Sequence, residues 1–192
     1  MVKNANPVFR PAGPRRSLAR SVAVIVLLAA PAFALVACSK EKAAAAQGAT
    51  VKTAADFFPI KVGDRTVRMQ LAVRTDEMQR GLMGRRDLGP DDGMIFVYEK
   101  PQPLSFWMRN TPTPLDIGFF GPGGALQEIY PLHPFDEKSV SSRSDRLQFA
   151  LEVNQGWYRD RDVKPGAKLD LKALAAALKA RGFEPRRFGL EE

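Results

Sequence analysis

Between residues 57 and 171 the apolar side chains come in short runs, broken every few residues by Gly, Pro or Asp. Runs of roughly four to eight residues with such punctuation fit strands and leave little room for long helices. Ile60-Lys61-Val62, the Gly63-Asp64 pair and residues 65–73 read as a hairpin, with Val67, Met69, Leu71 and Val73 facing inward. Thr75 is placed to cap a short helix that carries Asp76 and Glu77 in its first turn, then Met78, Leu82 and Met83, and stops near Gly84. After the Asp91-Asp92-Gly93 turn, residues 94–98 are almost all apolar and predict a strand buried on both faces.

Further strands are expected at 104–108, 115–120, 125–130 and 147–153, with a last short one at 168–171. Thr111-Pro112-Thr113-Pro114 is excluded from strand interior, because proline lacks the ladder donor. Residues 131–146 read as a polar loop holding His133. About eight short strands with one early helix predict a mainly β chain, a compact antiparallel β-sandwich or partly closed barrel. Residues 172–182, rich in Ala and Leu, predict a C-terminal helix, followed by a charged, frayed tail to Glu192.

The N-terminus has a different texture. Residues 1–20 are polar and basic, and residues 21–37 carry no charge. That is the pattern of a secretory signal. Leu35-Val36-Ala37-Cys38 resembles a lipobox, which implies cleavage before Cys38 and lipid attachment to it. Several acyl chains hold a protein at a membrane where one binds only marginally. An uncleaved span, or conventional cleavage after Ala32-Phe33-Ala34, are the alternatives. Residues 39–56 are small and polar and read as a tether. The organisation expected is a signal peptide over 1–37, lipidated Cys38 with its tether over 38–56, a β domain over 57–171, and a helix and tail over 172–192. The protein is then exported, lipid-anchored in a bacterial envelope and facing the periplasm, on either the outer or the inner membrane.

Charge bears on partners. The net charge is +8, but the first 37 residues hold five basic and no acidic side chains, so the remainder carries +3. That mild excess calls for no nucleic-acid partner. One cysteine permits no internal disulfide, and one histidine with one cysteine excludes Cys/His zinc sites. No metal and no cofactor are expected.

One set of motifs stands out: Gly81-Leu82-Met83-Gly84-Arg85, Gly93-Met94-Ile95-Phe96, Phe106-Trp107-Met108-Arg109-Asn110-Thr111, Pro114-Leu115-Asp116, and Leu151-Glu152 with Gly156. In order and spacing these resemble the domain of unknown function 192 family over roughly residues 58–170. The resemblance implies a compact β-sandwich of jelly-roll type and points to no particular reaction.

Within those motifs, Trp107 and Met108 alternate along a strand, so that one or both fit a core, and Met83 and Met94 fit it as gap-filling side chains. Asp116 and Glu152 sit between apolar neighbours and face outward by alternation, or, if buried, need a cation such as Arg80, Arg85 or Arg109. Such a buried pair would lock the early helix to the sheet. Read as a site, Arg85, Trp107, Arg109, Asn110, Thr111, Asp116 and Glu152 form a polar group suited to a small polar ligand, a glycan or an envelope-protein partner. Catalytic residues are not identified. The enzymatic alternative, a hydrolase using Asp116 and Glu152, needs carboxyls about 5–9.5 Å apart. A purely structural interaction domain is the third reading.

Overall fold

A computed structural model describes residues 50–191. The signal-like segment, Cys38 and most of the expected tether lie outside the described residues. The chain forms strands Phe58–Val62 (β1), Arg65–Ala72 (β2), Asp92–Gln102 (β3), Ser105–Phe106 (β4), Leu115–Phe120 (β5), Leu126–Leu132 (β6), Val140–Ser141 (β7) and Leu147–Asn154 (β8). Helices span Thr75–Arg80 (α1), Trp157–Asp160 (α2) and Leu171–Ala180 (α3), and Pro185–Phe188 makes a 3-10 turn. The mainly β character, the early helix and the C-terminal helix are all as the sequence predicts. The expected strand at 168–171 is reduced to single bridges, Val62 to Leu169 and Ala125 to Lys168.

Six strands form one sheet in the order β1-β2-β3-β8-β5-β6, and β4 pairs with β7 in a second, two-stranded sheet. No barrel closes. The large sheet is antiparallel throughout except at β2 and β3, which run parallel. A parallel pair needs a long crossover rather than a tight turn. Residues 73–91, which carry α1, supply it.

Both faces of the large sheet are covered, so its central strands have no outward side. On one face Ile95, Val97, Leu151 and Val153 pack beneath Leu174 and Leu178 of α3. On the other, Met94, Phe96, Ile117 and Phe119 pack with Leu82, Phe106 and Met108. Phe106 meets the Phe96 ring edge-on at 4.9 Å and the Phe119 ring at 5.8 Å, which seats the small sheet on that second face. Edge-to-face aromatic pairs add about 0.5–1.5 kcal/mol beyond the area they bury. Gly93 is required where β3 meets β8: a Cβ there would stand 2.5 Å from the Glu152 carbonyl oxygen.

Two expectations about the ends need correction. The tail is not frayed, because Phe188 and Leu190 are buried in the α3-side core and the Phe188 carbonyl accepts from Gln148 Nε2 at 2.7 Å. A charged tail can still be anchored by two apolar residues with room to bury. The tether, for its part, ends before residue 56: Lys52 donates its N–H to the Ala180 carbonyl, and Gln70 donates to the Ala55 carbonyl. The helix at 75–80 begins one residue early as well, with Arg74 rather than Thr75 at its N-cap.

Candidate functional site

Glu152 lies in the middle of the sheet. Cross-strand register sets Gln70, Met94, Glu152 and Ile117 in one row over β2, β3, β8 and β5. Facing residues in register share a face, so Glu152 points to the Phe96–Phe106 side. Its residue is only 4% exposed. No hydrogen bond or ion pair reaches it from the described residues, and burial alone pushes its carboxyl up to about 8. The group is therefore protonated at neutral pH. Alternation fails to place it outward because β8 is buried on both faces. Nor does it have the arginine partner that its burial was expected to demand; protonation takes the place of a counter-charge.

Above Glu152 is a narrow cleft of about 40 Å³ walled by Met78, Arg80, Met83, Phe106, Trp107 and Thr111. A larger cleft of about 440 Å³ adjoins it, sharing Arg80, Gly81 and Met83 and reaching Gln70, Arg85 and Glu77. Both are roofed by the crossover between β2 and β3. Gly81 ends α1 at φ +46°, and a Cβ on it would meet the Phe96 ring at 3.4 Å. A side chain there would be strained by the backbone and crowded by the ring. The Gly84 N–H donates to the Asn110 carbonyl at 2.8 Å, and Thr113 Oγ1 donates to the Arg85 carbonyl at 2.7 Å. These bonds fasten the Gly81–Arg85 motif to the Trp107–Thr113 loop, so two segments distant in sequence make one wall.

The other predicted residues separate. Arg85 is committed: Nη1 donates to Gln70 Oε1 at 2.8 Å and Nε to Asp87 Oδ1 at 2.6 Å. Trp107 is 44% exposed at the cleft, not core, with the Arg109 guanidinium 5.1 Å from its ring centroid. Arg109 also lies 3.8 Å from Glu137. Asn110 turns the loop at φ +54°, and buried Thr111 donates Oγ1 to the Arg109 carbonyl. Met108 and Met94 are core, as expected.

Asp116 is elsewhere. It pairs in register with Val153, one residue out of step with Ile117 and Glu152, so it faces the α3 side. There it accepts the Gly156 N–H at 2.8 Å, while burial raises its carboxyl above the ordinary value. The sheet thus stands between Asp116 and Glu152, and the two cannot flank one bond as a hydrolase pair. The helix-locking ion pair exists with different members. Arg181, at the end of α3, donates to the Leu71 carbonyl at 2.6 Å and lies 2.5 Å from Glu77 of α1.

Arg80, Met78, Phe96 and Phe106 complete the cleft without having been singled out as site residues. The signal available was Arg80 immediately before the Gly81-Leu82-Met83-Gly84 motif. Among the described residues no cluster of three His, Cys, Asp or Glu could hold a metal ion.

A small β domain, with one buried acid under a loop-roofed cleft, is the class these features define. Residues 58–171 match domain of unknown function 192, described as an uncharacterized ACR, and the chain belongs to that family. A crystal structure of a protein of unknown function from Novosphingobium aromaticivorans DSM 12444 is similar, with 35% identity and a TM-score of 0.56 over 59% of this chain and 84% of that one. A second, from Sinorhizobium meliloti 1021 and provisionally named a transcription regulator, shares 30% identity with a TM-score of 0.56, covering 60% of this chain and 92% of that one. No curated protein matches the sequence.

Proposed function

We propose that this chain is a lipid-anchored envelope module that binds a small polar ligand in the cleft over Glu152. One observation carries the reading: a carboxyl buried in the sheet, with no partner among the described residues, forms part of a cleft wall. Burying a polar group without a hydrogen bond costs roughly 1–3 kcal/mol in proteins. A ligand that completes the missing bond recovers that cost on binding. The helices fit a DNA-binding role poorly, since α1 and α2 have 6 and 4 residues and α3 spends Leu174, Ala175, Ala177 and Leu178 on the core.

A thermal-shift screen of the purified full chain against amino acids, sugars, organic acids and amines tests this. Hits are expected that disappear in Glu152→Leu while its circular dichroism spectrum stays that of the parent. Hits that survive the substitution place binding elsewhere and sink the reading. The anchor rests on residues 35–38, and intact-mass analysis of the membrane-extracted protein checks it. Loss of residues 1–37 with a diacylglyceryl gain, both absent in Cys38→Ala, is the expected result; a chain retaining 1–37 rules it out.

A further inference from the structure

We infer that the cleft over Glu152 takes the carboxylate of a small ligand, bridged between the Glu152 side chain and the Arg80 guanidinium, with the ligand's apolar part against Phe106, Trp107 and Met83. This rests on reading the cleft as a ligand site, and it names the ligand's chemistry.

Among the charged side chains of the cleft wall, Glu152 and Arg80 have no hydrogen-bond or ion-pair partner in the described residues; Glu152 is buried and Arg80 is exposed. The other nearby arginines are occupied, Arg85 by Gln70 and Asp87, Arg109 by Trp107 and Glu137. The cleft therefore offers one neutral O–H donor and one guanidinium fork; the acids nearest Arg80, Asp76 and Glu77, line the adjoining cleft, and Glu77 is engaged by Arg181. A carboxylate satisfies both, one oxygen accepting from each, in charge-assisted bonds. An ammonium would meet Arg80 as a like charge. A buried acid kept neutral so that it can donate a hydrogen bond to a developing or full negative charge is sound chemistry at neutral pH. The volume of about 40 Å³ accommodates a head group of a few heavy atoms, since about 10–15 Å³ of such space holds one water molecule.

Burial alone sets the Glu152 titration, and no charged neighbour shifts it. Tyr98 of β3 and Tyr158 of α2 both feel the Glu152 charge, but burial first, and that charge second, hold Tyr98 up at about 12; burial likewise raises Tyr158. Asp76 and Glu77 of α1 line the adjoining cleft, where Glu77 is paired with Arg181. A simple carboxylate is charged above about pH 5, and Glu152 is protonated below about 8. Binding is then strongest between those values and weakens tenfold per pH unit above the upper one.

The test follows the Glu152 carboxyl by carbon-13 NMR in the full chain, titrated with butyrate, N-acetyl-dialanine and propylammonium at pH 6 and pH 9. Butyrate is expected to bind at pH 6, to raise the Glu152 titration midpoint, and to weaken about tenfold by pH 9. Glu152→Gln should keep butyrate binding while flattening its pH dependence, because an amide donates at every pH. Arg80→Gln should weaken butyrate at least tenfold. N-acetyl-dialanine binding as tightly as butyrate assigns the carboxylate to a peptide end; much weaker binding assigns it to a free small acid. If propylammonium binds and lowers the Glu152 midpoint while butyrate does not bind, the carboxylate inference is overturned and the ligand site stands. If no probe perturbs Glu152, and no screening hit depends on it, both fall.

Discussion

Arg181 Nη2 lies 2.5 Å from Glu77 Oε1, joining residues 104 apart in sequence through a contact buried at the Arg181 end and partly buried at Glu77. Glu77 also accepts the Val73 and Arg74 N–H groups, each at 3.0 Å. One carboxylate thus fixes the start of α1 and ties it to the end of α3. Removing either partner should cost about 3–5 kcal/mol in urea unfolding, since a buried charge is stranded. Glu77→Ala should cost more than Arg181→Met, because Arg181 Nε is already buried without a partner.

Acid should loosen the same joint. Burial disfavours the Glu77 charge, but the Arg74 and Val73 amides and Arg181 outweigh it and hold the carboxyl below its usual value. A depressed carboxyl contributes stability above its unfolded value, and that contribution is lost as pH falls through the folded value. Unfolding free energy measured downward from pH 5 should fall less steeply in Glu77→Gln than in the parent.

Glu152 should behave in the opposite sense. Its folded value, about 8, lies above the ordinary 4.5. Between the two, the unfolded chain releases a proton that the folded one keeps. Stability therefore declines as pH rises through that window, by at most about 1.4 kcal/mol per unit. Glu152→Leu should unfold at a higher urea concentration than the parent, by about 1–3 kcal/mol, and the gap should widen up to pH 8. A variant that is less stable than the parent at pH 7 would show that Glu152 is structural.

Asp116→Asn should change stability by less than about 1 kcal/mol, because an amide oxygen still accepts the Gly156 N–H. Asp116→Ala should cost roughly 1–3 kcal/mol, leaving that buried donor unmet. Neither should affect a ligand held over Glu152 on the other face.

Phe188→Ala should cost about 3–5 kcal/mol, as a buried aromatic does in a core. Limited proteolysis that trims residues 185–191 without loss of stability would contradict the packing of Phe188 and Leu190.

The strand at 115–120 was legible to the residue, because Pro114 and Pro122-Gly123 punctuate it. The hairpin at 58–72 and the two-faced burial of 94–97 were legible for the same local reasons. The parallel pairing of β2 with β3 was not, since nothing local in a strand records its neighbour's direction. The cleft was half legible. The motifs named Trp107, Thr111 and Glu152, but alternation mis-aimed Glu152 because a strand covered on both sides has no solvent face. Asp116 joined the wrong group for a related reason: sequence shows that two acids exist, while register decides which side each takes. The Glu77–Arg181 pair depends on tertiary packing alone.

The crossover that lets β3 run parallel to β2 is also the roof of the cleft, so one length of chain answers to two constraints. Its ends are pinned by the sheet ladder, and Gly84 and Arg85 are pinned by Asn110 and Thr113. What remains adjustable is the set of side chains at Met78, Arg80 and Met83. Those positions can be exchanged without disturbing a single ladder bond, whereas Glu152 is threaded through the centre of the sheet. Relatives that differ in what they hold should therefore differ in the roof and keep the floor.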